Sequence, residues 1–345
     1  MARRRLECAI QAGQAIEQGK QWPEKFSKLE IVKELKLDPA VGGVYSLQYS
    51  FDGKYLAVGY GNGGVKILNA QTGDPIRELR KSRYGGLQIM CLRFHPKDPN
   101  ILLAGTGEGK LYAFNVESGT ETEVTVEKGN EINCLDFSLD GYNFATGGRD
   151  MKIRVYDTKT MKMENIYEGY SAKKDPTEIE TAGCGQRVFA LRYHTEYEHI
   201  FVTGGWENQL KVWDTRSNDG VKRSISGPHV CGDAIDMRER EILTGSWCAN
   251  NALQIWNYTE GTLTKTVPFE STNGAYLYCA QFCDNDVVVA GGSGTNNIQA
   301  VNTTTGQNLG AVQMAKPVQA LDTVHGGRLI AVGGAEDVLK LAALT

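Results

Sequence analysis

Proline is scarce in this sequence, 9 of 345 residues, and histidine scarcer, with five. Little proline argues against a disordered Pro/Gly tract. With so few histidines, none paired on a helix and no Cys/His set at zinc spacing, no metal site is expected. Apolar runs are short as well. None approaches the ~18 residues that span a bilayer, and the start MARRRLECAIQAGQAIEQGKQ has no apolar core of signal-peptide length. Neither charge sign dominates: 37 basic against 41 acidic side chains leave −4, which speaks against nucleic acid and polybasic membrane binding. The eight cysteines contain no CxxC pair and read as reduced thiols in an intracellular protein. No phosphate loop is present, since GYGNGG and GGSGTNN lack the Lys-Ser/Thr and a following helix. No GxSxG nucleophile motif occurs either. These absences point away from an enzyme and call for no cofactor.

Glycine is what the chain has in excess, 40 residues or about 12%. It closes a short apolar run seven times, at Gly59, Gly105, Gly147, Gly204, Gly245, Gly291 and Gly333, at intervals of 46, 42, 57, 41, 46 and 42 residues. Such runs read as buried strands followed by a turn. Upstream of each lies another strand: VYSLQY, IMCLRF, INCLDF, VFALRY, GDAIDM, LYCAQF and VQALDT. Its third column is always small and its fifth always polar, which suggests strands crowded round an axis. Downstream, VKILN, LYAFN, IRVYD, LKVWD, LQIWN, IQAVN and LKLAA form a third strand, usually ending in Asn or Asp before a Gly-containing turn. A weaker fourth follows. Four antiparallel strands per ~45 residues, repeated seven times, predict an all-β, seven-bladed β-propeller.

The segments ATGGRDMKIRVYD and VTGGWENQLKVWDTR, with the turns SFDG and SLDG, resemble the WD-repeat family over roughly residues 29–345. The resemblance implies a propeller that carries partners on its surface; it names no pathway. The family's Gly-His pair before each blade is largely missing, and only Asp150 stands at the usual acid position. The predicted blades lie around 45–73, 89–119, 132–160, 187–216, 231–261, 277–306 and 318–345. The last lacks an outer strand, and Leu29–Leu37 is the natural candidate to supply it and close the ring. The propeller therefore spans 28–345, and residues 1–27 form an extension, partly helical from the spacing of Leu6, Ala9, Ile10, Gly13 and Ile16.

In WD-repeat proteins the loops before the first strand and between the second and third share the face around the channel mouth. Two residues past the recurring glycine, that face carries Arg149, Trp206 and Trp247 on consecutive blades, and Arg187 and Tyr276 neighbour them. Trp and Arg are enriched at interface hot spots. An insertion before blade four, residues 171–186, reads as a polar loop on the same face. Trp213-Asp214-Thr215-Arg216 resembles the WDxR pattern of substrate receptors of a cullin-type ubiquitin ligase, with Arg216 as the adaptor contact. The sequence thus predicts a non-catalytic scaffold or adaptor in a multiprotein complex, binding other proteins rather than nucleic acid or membrane. A ubiquitin-ligase receptor or a ligand-binding or catalytic propeller is the alternative. A cytoplasmic location is expected, with cytoskeletal, ciliary and nuclear assemblies left open.

Overall fold

A computed structural model describes residues 25–168, 183–217, 220–271 and 274–345. They form seven antiparallel sheets, with strands in chain order from the channel outward except in the last, whose outer strand comes from the start of the described chain. The inner strands are Val44–Tyr49, Ile89–Phe94, Ile132–Phe137, Val188–Tyr193, Ile235–Arg238, Ala275–Phe282 and Val318–Val324. The expected seven-bladed propeller is therefore the observed fold. Closure also follows the expectation: Leu29–Lys36 pairs antiparallel with Val338–Leu344, from Leu29 opposite Leu344 to Lys36 opposite Val338, with a bulge at Val32. Blade seven is thus built from both ends of the described chain. The expected partly helical extension lies, up to residue 24, outside the described residues, as do residues 171–182 of the insertion.

One detail differs from the sequence reading. In six of the seven blades the recurring glycine does not end its strand; Gly59 lies inside Tyr55–Tyr60 and Gly105 inside Ile101–Thr106, while Gly245 ends Glu241–Gly245. A Cβ on Gly59 would stand 2.3 Å from Ser46 Oγ and 2.6 Å from Ile89 Cγ2 of the next blade. On Gly105 it would stand 2.5 Å from Ile132 Cγ2 and 2.7 Å from Cys91 Sγ. The glycine and the small third-column residue are one device, which lets neighbouring blades close to contact distance. The apolar cores accordingly lie between blades: one joins Val44, Leu47 and Leu56 of blade one to Ala320, Leu339 and Leu341 of blade seven.

Cys91, Cys134 and Cys279 occupy that packed column and are buried, as are Cys184 and Cys283. Burial pushes the Cys91 thiol up to about 12 and raises those of Cys134 and Cys279 as well. Cys231 and Cys248 are only half-buried. Native titration with a thiol reagent should label Cys231 and Cys248 and leave the five buried thiols silent until denaturant is added. Rapid labelling of Cys91 or Cys134 in the folded protein would contradict the packing.

The WD-type tryptophans are structural. Trp213 Nε1 donates to Thr203 Oγ1 and Trp256 Nε1 to Thr244 Oγ1, both at 2.9 Å. In blade three a buried glutamate does the equivalent: Glu127 accepts from Thr146 Oγ1 at 2.6 Å and Tyr156 OH at 2.9 Å, and ion-pairs with Arg154 at 3.0 Å.

Candidate protein-binding face and the channel beneath it

Antiparallel strands put successive turns at opposite ends of a blade. The turns between second and third strands therefore share one face with the loops that enter the inner strands. On that face the rim position two residues past the glycine is held by its backbone. Its N–H donates to a carbonyl of the loop that enters the inner strand: Arg149 to Glu131 O at 3.1 Å, Trp206 to Arg187 O at 3.1 Å, Trp247 to His229 O at 2.8 Å. Gly61 and Gly107 make the same bond, to Gly43 O at 3.1 Å and Gln88 O at 3.0 Å. Because the main chain sets the position, the side chain is free to differ from blade to blade.

Trp206 and Trp247 are 41% and 42% exposed, too open for core residues. They belong to one continuous strip. Glu131 ion-pairs with Arg149 at 2.9 Å and with Arg187 at 3.0 Å. The Arg187 guanidinium lies 5.3 Å from the Trp206 ring and 5.8 Å from that of Phe189. Trp206 packs on Phe189 at 5.4 Å, and its Nε1 donates to Cys231 Sγ at 3.2 Å. Beyond Cys231, His229 stands 6.5 Å from Trp247, which leans on Tyr276 at 4.9 Å and donates to Tyr278 OH at 3.0 Å.

Trp247 owes its place to a departure from the regular blade. Trp247–Cys248 leaves blade five as a two-residue strand and pairs with the inner strand of blade six, Trp247 opposite Tyr276 and Cys248 opposite Ala275. Blade six thereby has five strands, and Tyr276 lies within its inner strand rather than before it.

All five residues singled out from sequence thus meet on one strip across blades three to six. Phe189, Tyr278, His229 and Glu131 were missed. For Phe189 and Tyr278 a signal existed in the second column of the inner strand, which reads Tyr45, Met90, Asn133, Phe189, Asp233, Tyr278, Gln319. In six blades a register shift falls at that column. A bulge re-aims its side chain; at Phe189 and Tyr278 that side chain meets the rim tryptophans.

Arg216 lies elsewhere. It follows the third strand of blade four, at the opposite end from Trp206, and its guanidinium grips Asp214 of the same motif through Nε at 2.9 Å and Nη2 at 2.7 Å. Of the blade-four insertion, residues 183–186 are described: Gly183 O accepts from Lys211 Nζ at 2.8 Å, and Gly185 N donates to Glu207 Oε2 at 3.0 Å.

Below the mouth, the polar fifth column forms a closed belt in which every blade bonds the next. Gln48 Oε1 accepts from Phe94 N. Arg93 ion-pairs with Asp136 at 3.4 Å. Asp136 accepts from Tyr193 N at 2.9 Å. Arg192 donates to Ile235 O at 3.0 Å, and Asp236 accepts from Phe282 N at 2.9 Å. Gln281 donates to Asp322 at 2.7 Å, and Asp322 accepts from Tyr49 N of blade one at 2.6 Å. Arg93 also reaches across the channel from blade two to Asp233 of blade five at 2.7 Å, and Arg192 meets the same carboxylate at 3.4 Å. Burial pushes the Asp233 carboxyl up, but Arg192 and Arg93 outweigh it and hold it below the usual carboxylate range. Asp322 makes no ion pair among the described residues, and burial, outweighing Gln281 and the more distant Arg93 and Arg192, pushes it up to about 6. The channel's titratable groups are thus committed to one another and to backbone N–H groups. Among the described residues no group of His, Cys, Asp and Glu is placed to hold a metal ion, and no helix is long and apolar enough to cross a membrane.

Residues 87–308 match the family model described as nucleolar protein 10-like, N-terminal domain, and residues 31–95 match that of the anaphase-promoting complex subunit 4 WD40 domain. The chain is similar to WD repeat-containing protein slp1 of Schizosaccharomyces pombe, 23% identical over 73% of this chain and 48% of the relative. It is similar to cell division cycle 20.4, cofactor of APC complex, of Arabidopsis thaliana, 25% identical over 77% and 57%. Meiotic fizzy-related protein 2 of Schizosaccharomyces pombe is 28% identical over 70% and 46%. The chain spans about half the length of the curated relatives it matches.

Proposed function

For a chain that belongs to the nucleolar protein 10-like, N-terminal family of WD-repeat propellers, we propose the role of a non-catalytic, intracellular scaffold or adaptor. It binds other proteins within a multiprotein assembly, on the channel-mouth face of blades three to six. The carrying observation is the strip from Arg149 through Arg187 and Trp206 to Trp247 and Tyr276, whose two tryptophans are exposed and held by neighbouring rings and backbone. Large, rigid aromatic groups fixed before contact lose little entropy on binding. The pairing of the channel charges supports a non-catalytic reading, since an acid or base needs a free site beside a reacting group. The names of several relatives, which place them as cofactors or subunits of the anaphase-promoting complex, support membership of an assembly. Arg216 serves the ligase-receptor alternative poorly, because a partner's carboxylate would have to displace Asp214.

The Trp206→Ala/Trp247→Ala double variant tests this reading. Truncation of a hot-spot tryptophan costs at least ~2 kcal/mol of binding, roughly thirtyfold in affinity. Proteins recovered with the wild-type chain should bind the variant at least thirtyfold more weakly once purified and titrated. Its melting temperature should fall by only a few degrees, because both side chains are largely outside the core. A variant that melts like the wild type and binds each partner equally well would refute the assignment.

A further inference from the structure

The strip across blades three to six is charged at one end only. Arg149 and Arg187 share a single carboxylate there: Glu131 Oε1 pairs with Arg149 Nη1 at 2.9 Å and Oε2 with Arg187 Nη1 at 3.0 Å. From Trp206 onward the strip consists of Phe189, Cys231, His229, Trp247, Tyr276 and Tyr278. None of these is Asp, Glu, Lys or Arg. We propose that the strip receives a partner segment in which an aspartate or glutamate stands within a few residues of a large apolar side chain. The carboxylate meets the arginine pair and the apolar group meets the tryptophans. The proposal rests on the protein-binding reading above and adds the chemistry of the partner.

Charge argues for the carboxylate. Two guanidinium groups against one carboxylate leave that end positive. The other acids of blade three do not cancel the excess, because they are engaged beneath it. Asp150 and Glu127 both pair with Arg154, at 2.5 and 3.0 Å. Glu127, buried, also accepts from Thr146, Tyr156 and Asn130. In blade four Glu207 is matched by Lys211 at 2.7 Å. Each rim arginine spends one nitrogen on Glu131, out of five N–H donors per guanidinium. Their side chains are 59% and 25% exposed, so an incoming carboxylate can take N–H groups from both and bring the local charge to zero. A phosphoryl dianion would overshoot it. A cationic side chain is opposed by the net charge, and the Trp206 ring it would seek already has Arg187 at 5.3 Å.

The tryptophans argue for the apolar neighbour. Both indole N–H groups are already bonded inside the protein, to Cys231 Sγ and Tyr278 OH. The open part of each ring is therefore carbon, which favours apolar over polar side chains. The two halves adjoin, since Arg187 lies against Trp206. An extended chain advances ~3.3 Å per residue, so one short segment reaches both.

The test selects a displayed library of short random peptides on the full chain, then titrates one enriched peptide made synthetically. Peptides enriched on the wild type and lost on Trp206→Ala/Trp247→Ala should carry Asp or Glu close to Trp, Phe, Leu, Ile or Met. Replacing the peptide's acid by its amide should weaken binding about tenfold, as should Arg149→Gln or Arg187→Gln in the protein. Added salt should shrink these differences. Each variant leaves Glu131 one arginine, so the melting temperature should stay within a few degrees of the wild type. Arg216→Gln, at the opposite end of blade four, should change nothing. Strip-dependent peptides that are basic or uncharged, or that bind the Arg149 and Arg187 variants undiminished, would overturn the inference and leave the binding face standing. A library that yields no strip-dependent peptide would overturn it too. Selected peptides that bind the tryptophan double variant as tightly as the wild type would instead tell against the face itself.

Discussion

Deleting residues 1–38 should leave a protein that melts roughly 10 °C or more below the full chain, or aggregates, whereas deleting 1–24 should leave the melting temperature nearly unchanged. The longer deletion removes Leu29–Lys36, the whole outer strand of blade seven, and exposes the edge of Val338–Leu344 along seven paired positions. It also takes away Phe26 and Leu29, buried in the core shared by blades six and seven, and Leu35, packed against that of blades seven and one. At ~1.5–3 kcal/mol per buried apolar side chain, the loss is about 5 kcal/mol, and at about 2 °C per kcal/mol for a long chain that gives the stated shift. An unpaired edge strand is also a template for association, so light scattering during the melt should rise for the longer deletion alone. Equal melting curves for the two truncations would mean that the ring closes without this strand.

The second large effect is expected in the channel. Arg93→Met should destabilise the protein by ~2–3 kcal/mol: removing one partner of a fully buried ion pair costs ~3–5 kcal/mol, and solvent offsets part of that here because the Asp233 side chain is 36% exposed. The variant keeps volume and loses the cation, so Asp233 and Asp136 face each other's side of the channel with only Arg192 near. The pH dependence gives the mechanism a signature. In the wild type Asp233 has a lowered pKa in the fold, so its contribution is present above the unfolded value near ~4 and is lost as pH falls through the folded one. In the variant, burial is less opposed and the folded pKa rises. The penalty is then full at neutral pH and shrinks as the carboxyl takes up a proton. The gap in urea unfolding free energy between wild type and variant should therefore narrow from pH 7 toward roughly pH 4.5. A pH-independent gap would assign the loss to packing, and Arg93→Met/Asp233→Asn should recover part of the stability only if the charge pair is the cause.

Much of the fold was legible because its signals are local and repeated. Four strands per ~45 residues, a small residue in the third column and a glycine closing each apolar run recur in every copy, since each blade meets its neighbours in the same way. The closing strand was legible because Leu29–Leu37 carries the pattern of an outer strand without belonging to any repeat of its own, and it pairs with Val338–Leu344. The role of the glycine was read too locally: the sequence suggests a turn, while the structure shows a blade-to-blade contact, which involves residues some thirty positions away such as Ile89 beside Gly59.

The site was legible in part. Repeat alignment alone places Arg149, Trp206 and Trp247 in one column, because the backbone bond that seats the column is the same in successive blades. What joins them was not. Glu131 bridges Arg149 and Arg187, and Trp247 is carried to Tyr276 by a strand that leaves its own blade. No period announces such exceptions.

The sequence by itself determined the architecture, the blade count, the closing strand and the column from which the rim side chains project, since burial and strand pairing repeat with a period that one chain displays. Only the tertiary structure decided which charges meet. Arg93 and Asp233 stand 140 positions apart, and nothing local relates them. They come within 2.7 Å because seven blades close into a ring whose axis brings opposite inner strands together, and Arg93, whose side chain is only 5% exposed there, is too costly to leave unpaired.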